Sequence, residues 1–560
     1  MLPTETNIRT RAAALARLDQ EEFDLLVIGG GITGAGVARD AALRGLRVAL
    51  VERRDFACGT SSRSSKLIHG GVRYLQHGDV GLVIEAAGER RSVRRLAAYL
   101  ARPTQMLMPV SSRSGYAKLS VGLWTYDRMA RVAEEERYRM LDRDETLACE
   151  PSLRPDNLYG AGLYYEYLTD DARLVIATLK RAAALGAAIV NYAEVTNLLQ
   201  EGQRLTGAVV TDTLRAQTVG VRARAVVNAA GPWVDAVRMM TGTEGRRLHL
   251  TKGIHILLRR DRLPVSRIVV MLARDRRPVF VIPRGPVVYL GTTDTDYDGP
   301  LDNPVVNEDD VTYLLEAAER TFAIPRIRLE EVTGAWAGLR PLLHEEGKKP
   351  SELSRKDEIM VSASGLISVA GGKLTTFRRM AERTVDMVAE QIKEVSGNTL
   401  KPRGRSEEDL LSGGETGDDV PGYAGRLAAR WPTVASDVVL RLVDLYGSNA
   451  ERIVEGIAAD PSLGERLAPG SALTRAEVEY VVREEYAVTV EDVLERRTRL
   501  FLFDPENGVP VAPAVAAIMS RLLKWDASRA AAEIAQYEAH VQKTKAFALA
   551  PSVTAQAAHG

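Results

Sequence analysis

Hydrophobic and polar positions follow three successive patterns along the chain. In FDLLVIGGGITGAGVARDAALRGLRVALVE an apolar block, a glycine cluster, a helix-spaced stretch and a second apolar block succeed one another, predicting strand, tight turn, helix and strand. That is a βαβ unit. Ahead of it, RTRAAALARL has helical spacing and predicts a short amphipathic helix. From about Gly59 to Phe377 the β-rich runs AVVNAAG, GIHILLRR, RPVFVIPR and VVYLGTTD mix with the helical TYLLEAAERTF, the pattern of an α+β insertion into the first fold. Beyond about Pro402 the periodicity becomes helical throughout, as in EVEYVVREEYAVTVEDVLERRTRLFL and VAPAVAAIMSRLLKWDASRAAAEIAQYEAHVQ. The polar KPRGRSEEDLLSGGETGDDVPG precedes these helices, so a separate helical domain is expected, ending in the frayed tail LAPSVTAQAAHG.

Composition narrows the classes. A chain of 560 residues exceeds one ordinary core and implies about two to four domains. The 45% hydrophobic and 26% charged fractions describe a soluble globular protein. Lysine plus arginine (74) equals aspartate plus glutamate (74), so no net field draws in nucleic acid, and any anion site must be local. Cys58 and Cys149 form no CxxC and join no histidine cluster, which argues against a disulfide framework or a metal site and suits a reducing cytoplasm. Neither a signal-peptide core nor a run of about 18 apolar residues occurs, so secretion and membrane spanning are not expected.

The first chemical motif is Gly29, Gly31 and Gly34 in GGGITG, directly after a predicted strand and opening a helix. These glycines permit a tight turn and close backbone approach to a pyrophosphate, which the helix N-terminus attracts. Glu52 ends the second strand where an acid would accept hydrogen bonds from a ribose hydroxyl. The motif by itself serves NAD or FAD. An NAD domain would continue as regular alternation, whereas the hydroxyl-rich loop DFACGTSSRSSKLIHGG follows here. FAD is larger and needs returning contacts, and AVVNAAGPWVD and GLISVAGGKLTTF read as such returns, the second starting a helix at Thr375 that aims N–H groups and Lys373 at the flavin.

In order, VIGGGITGAG, GTSSRSSKLIHGGVRYL, NAAGPW, KGIHI, GTTDTDY, GLRPL and GGKLTTF resemble the FAD-dependent glycerol-3-phosphate dehydrogenases of the respiratory, quinone-linked type. The resemblance implies an α/β and α+β protein: a Rossmann-like, glutathione-reductase-like FAD-binding domain of the D-amino-acid-oxidase group, an inserted β-sheet substrate domain and a C-terminal helical cap. The expected organisation is an N-terminal extension over residues 1–20 and a discontinuous FAD domain over 21–400, with substrate-binding parts near 80–160 and 245–345. Helices over 401–550 and a tail over 551–560 complete it.

The resemblance also implies site residues. On the cofactor side it points to Gly29, Gly31, Ile32, Thr33, Gly34, Glu52 and Arg53 and, in the loop, Thr60, Ser61, Ser64, Ser65, Lys66, Leu67, His69 and Gly70. Val195, then Ala230, Gly231 and Trp233, and finally Gly372, Lys373, Leu374, Thr375 and Thr376 would complete the FAD contacts, with Ser64, Ser65 and Lys66 as donors. Removing the hydroxyl proton of a secondary alcohol requires a base. His255 matches the family's active-site histidine, although from the residues alone a strand histidine with a backbone partner is the simpler reading. His249 shares its parity only if the strand continues through Gly253. Arg340 and Arg73 match phosphate-contacting arginines, Tyr74 would line the same pocket, and Lys373 would lie near flavin and substrate oxygen. His69 and Cys58 stand near the FAD loop without a spacing that demands a covalent flavin bond.

For the acceptor, LHEEGKKPSELSRKDEIMVSAS bridges GLRPL to the last glycine-rich strand without the insertion that related oxidases carry, which favours a membrane quinone over oxygen. The expected location is therefore cytoplasmic, peripheral to the inner face of the cell membrane, and a homodimer is compatible with it. AKLSVGLWTYDRMARV is a candidate membrane-facing segment, with an ordinary core helix as the competing reading. The alternatives are an oxygen-using glycerol-3-phosphate oxidase, an FAD-dependent amino-acid or amine oxidase, and a flavin-binding redox scaffold without turnover.

Overall fold

A computed structural model describes residues 7–70, 80–343, 357–396 and 406–549. Strand Glu22–Ile28, the glycine turn, helix Ile32–Leu43 and strand Val48–Val51 form the anticipated βαβ unit. Its strands are parallel neighbours at the centre of an eight-stranded sheet, flanked by parallel strands Gln217–Asn228, Leu366–Gly371 and Ala188–Val190. Strands buried on both faces read as continuous apolar runs, as LLVI and VALV do. One face packs on helices Ile32–Leu43, Asp171–Ala184 and Phe377–Ser396, the other on helix Asn7–Gln20 and the hairpin Ala193–Asp212.

The second sheet has ten strands, and strand Leu248–Arg259 lies between Val287–Gly291 and Val332–Leu343. Alternation along it sorts side chains by face. Ile254, Ile256 and Leu258 pack toward helix Glu308–Thr321, whereas Leu257, with Tyr289 and Trp336 of the flanking strands, joins the core of the C-terminal helices. The strand runs unbroken through Gly253 and shifts register between Leu257 and Leu258 instead, so His249 and His255 share a face.

The C-terminal helices share a core with the second sheet. Leu67 and Ile68 form a short edge strand paired with Leu168 and Tyr167, which stitches the loop after Glu52 to the second sheet rather than leaving it irregular.

Candidate active site

The carboxyl ends of the parallel strands open into a cavity, the place where open α/β sheets bind ligands. Ile28, Val51, Ala229 and Gly371, at or just past the ends of four strands, line it. Gly29 has φ of 111°, and a Cβ there would fall 2.5 Å from the Ala229 carbonyl oxygen. A Cβ on Gly34 would lie 1.9 Å from the Gly29 oxygen, so this glycine lets helix and turn touch. Gly31, by contrast, faces only Ser61 Oγ at 3.2 Å, leaving its backbone open to the cavity. The Ser61 hydroxyl accepts from the Ile32 N–H at 3.0 Å.

Glu52 is held by backbone donors, Gly30 N–H at 2.7 Å and Arg54 N–H at 2.9 Å. Burial raises its pKa, and the Arg54 and Gly30 N–H groups work against that rise. A carboxylate has about four acceptor sites, so these two bonds leave room for ribose hydroxyls. Arg53 stacks over Trp233 at 4.5 Å, and both line the cavity with Thr33, Thr60, Ser64, Val195, Ala230 and Gly231. Gly372, Lys373 and Leu374 also contribute, and helix Phe377–Ser396 starts two residues later than Thr375 after a short 3₁₀ turn. Closely approached glycines, a buried acid with acceptor capacity to spare, a helix N-terminus and the Trp233 ring in the lining fit a dinucleotide.

The loop residues divide differently from the sequence expectation. Ser64 Oγ and N–H donate to Asp171 at 2.7 and 3.1 Å, and Lys66 Nζ donates to Asp171 at 2.6 Å and to the Ser62 carbonyl at 2.9 Å. Lys66 is 1% exposed, so its ammonium serves a buried pair instead of donating to cofactor oxygens. Breaking such a pair costs about 3–5 kcal/mol by leaving a charge uncompensated. Gly70 approaches the Tyr126 hydroxyl and donates its N–H to Glu166, so it too serves the protein scaffold. The Thr375 hydroxyl accepts the His69 N–H and donates to the His69 carbonyl, and Thr376 Oγ1 donates to the Lys373 carbonyl, so both hydroxyls engage the backbone. Arg73 and Tyr74 lie outside the described residues.

Ser65 turns to His255: Oγ and Nε2 stand 2.8 Å apart, and the Tyr289 hydroxyl donates to the Ser65 carbonyl at 3.1 Å. The imidazole is 2% exposed and stacks on Trp336 at 4.7 Å and 10°. Burial pushes its pKa well below 6.5, with Arg340 and Lys66 repelling a further positive charge. His255 is therefore neutral at pH 7. Its Nδ1 has no hydrogen-bond partner among the described residues. Arg340 donates to Asp294 at 2.9 Å, Thr292 Oγ1 at 3.1 Å and the Thr293 carbonyl at 3.2 Å, which fixes its fork. His249 sits toward the strand end, half-buried, with Asp296 at 2.7 Å.

Two strand glycines make this arrangement possible and were not assigned roles from sequence. A Cβ on Gly291 would lie 1.9 Å from His255 Cδ2, and one on Gly253 would lie 2.3 Å from Arg340 Nη2. An isolated glycine inside a strand signals close approach, and that signal was available. Asp171 and Trp336 carried no such signal. Cys58 is buried, its thiol pushed up to about 12 mainly by desolvation and by Glu52, so it is a poor nucleophile.

Residues 24–378 match the FAD dependent oxidoreductase family, and 405–530 match the C-terminal domain of alpha-glycerophosphate oxidase. The chain belongs to the FAD-dependent oxidoreductase family. Among curated relatives, the aerobic glycerol-3-phosphate dehydrogenase of Staphylococcus aureus (strain USA300) is 38% identical over 537 residues, covering 94% of this chain and 96% of the relative. The crystal structure of glycerol-3-phosphate dehydrogenase from Bacillus halodurans complexed with FAD is 34% identical, with a TM-score of 0.82 over 97% of this chain and 99% of that one. The dithionite-reduced L-alpha-glycerophosphate oxidase of Mycoplasma pneumoniae, with FAD bound, covers 69% of this chain and 98% of its own at 18% identity and a TM-score of 0.53, a likeness of fold alone. For this FAD-dependent oxidoreductase, the family model spans both the dinucleotide cavity and the His255 strand.

Proposed function

We propose that this FAD-dependent oxidoreductase oxidises sn-glycerol 3-phosphate to dihydroxyacetone phosphate and passes the electrons to a membrane quinone. The observation that carries the reading is the convergence of a neutral, fixed histidine and an oriented arginine fork beside the dinucleotide cavity. Relatives of nearly full length bear the matching activity in their names.

Bound FAD supplies the hydride acceptor. The chain's own residues bind, orient and deprotonate. Arg340, fixed by Asp294 and Thr292, holds the phosphate dianion. When the His255 Nε2–H donates to Ser65, Nδ1 carries the lone pair that takes the hydroxyl proton of the substrate. Depression of the His255 pKa keeps that lone pair available at neutral pH, while the stacked Trp336 stops the ring from rotating away. Lys373, which lines the cavity, would neutralise negative charge developing on the cofactor or on the substrate oxygen.

Peripheral membrane contact is part of the proposal. Helix Arg113–Ala130 buries Leu123 and Tyr126 but leaves Val121 65% and Trp124 51% exposed, with Arg128 over the Trp124 ring at 5.1 Å. Helix Val80–Leu96, packed beside it, exposes Val80 and Ile84. Apolar groups next to cations suit an interface, which supports a membrane-facing role for the exposed face, while Leu123 and Tyr126 pack into the protein. Among the described residues no helix is long and apolar enough to cross a membrane.

Anaerobic addition of sn-glycerol 3-phosphate to the flavin-loaded protein tests the activity. Bleaching of the flavin band followed by electron transfer to a soluble quinone, faster than to oxygen, is the expected result. No bleaching overturns the substrate, and rapid hydrogen peroxide formation overturns the acceptor.

A further inference from the structure

The loop that follows Glu52 is fastened from outside by the C-terminal region. Asp55 is 1% exposed, and its carboxylate accepts from Arg496 Nε at 2.5 Å and from Arg497 Nη1 and Nη2 at 2.7 and 2.8 Å. Asn191 Nδ2 adds a bond at 3.2 Å and also donates to the Tyr486 carbonyl. Both arginines belong to the π-helical turn Asp492–Arg497, a rare conformation that recurs at functional sites. The next loop residue, Phe56, meets Tyr486 edge-on at 5.4 Å.

The inner side of the same loop supports the cofactor cradle. A Cβ on Gly30 would lie 2.6 Å from the Phe56 ring, and the Ala57 N–H donates to the Gly30 carbonyl at 3.0 Å. The Gly30 N–H in turn donates to Glu52. Contacts therefore run without a gap from Arg497 and Tyr486 through Asp55 and Phe56 to the residues lining the cavity. Buried ion pairs add little net stability over apolar packing, whereas a bidentate fork fixes position.

We propose that the C-terminal region is a working part of the cofactor site: Arg497, assisted by Arg496, is a positioning residue that holds residues 52–58 against the cavity through Asp55. This rests on the flavin reading of that cavity. It also gives the C-terminal helices a role for which no sequence motif spoke.

The test removes flavin from the full-length protein and titrates FAD back, following quenching of flavin fluorescence. R497M is expected to raise the FAD dissociation constant about tenfold or more, the effect of lowering the competent loop population to about a tenth. R497K recovers part of the loss. K252M serves as the comparison, because it breaks another buried pair, Lys252 with Asp310 at 2.6 Å, in another layer. It is expected to lower the melting temperature while leaving FAD affinity unchanged. Should R497M not fold, Y486L removes only the ring edge against Phe56 and is expected to weaken FAD binding about threefold. Folded R497M or Y486L with wild-type affinity overturns the proposal, as does K252M weakening FAD equally. A wild-type protein that takes up no FAD overturns the flavin reading, and this proposal with it.

Discussion

Gly291→Ala probes the site by displacing His255 without replacing it. The added Cβ would sit 1.9 Å from His255 Cδ2 and 2.4 Å from Nε2, where carbon contacts normally need about 3.5 Å or more. The ring cannot yield easily, since Trp336 stacks on it at 4.7 Å and Ser65 holds Nε2 at 2.8 Å. Relief therefore requires a shift of about 1.5 Å, enough to break the Ser65 bond. Overpacking of this kind costs about 1–3 kcal/mol of stability. Loss of the neutral hydrogen bond adds about 1 kcal/mol. A misplacement of about 1 Å at a reacting group lowers rate by about a hundredfold. Stopped-flow bleaching of the flavin by sn-glycerol 3-phosphate reads the rate, the visible spectrum reads bound FAD, and thermal melting reads stability. The expected pattern is a slow reductive step, full flavin content and a modest drop in melting temperature. If Gly291→Ala reduces flavin as fast as wild type while losing only stability, His255 does not act from the position seen here.

Arg340→Lys keeps the charge but loses the fork to phosphate, so the steady-state KM should rise more than kcat falls; a pure loss of turnover contradicts the phosphate role. His255 is buried neutral with a folded pKa below 6.5, so the unfolded state binds the extra proton first. The stability it contributes is complete above about pH 6.5 and declines as pH falls toward the folded pKa, and His255→Gln should show a shallower acid loss in denaturant titrations. Trp124→Glu, on the exposed face of helix Arg113–Ala130, should weaken sedimentation with anionic vesicles while leaving flavin reduction in solution unchanged. Retained vesicle binding would move the membrane contact elsewhere.

Much of the architecture was legible because it rests on local rules. Gly29, Gly31 and Gly34 between two apolar blocks specify a strand–turn–helix whatever surrounds them, and Glu52 follows from the length of that unit. The glycine-ended apolar runs AVVNAAG and GLISVAGG marked the returning segments, whereas family resemblance carried Arg340, since an arginine in GLRPL has no distinguishing local signal. Side-chain direction in the SSRSSKLIHGG loop was not legible. Ser64, Ser65 and Lys66 are all donors next to a cofactor loop, yet a buried carboxylate over a hundred residues away, Asp171, claims Ser64 and Lys66. His255, farther still along the chain, takes Ser65.

The same division holds for the whole chain. Periodicity and glycine spacing determined which segments become strands and helices, because those preferences act between near neighbours. Only tertiary structure decided that the C-terminal helices share a core with the second sheet and that Arg496 and Arg497 reach Asp55 beside the cofactor cavity. A buried charge pairs with whichever opposite charge the fold brings within about 3 Å, and sequence spacing carries no record of that distance.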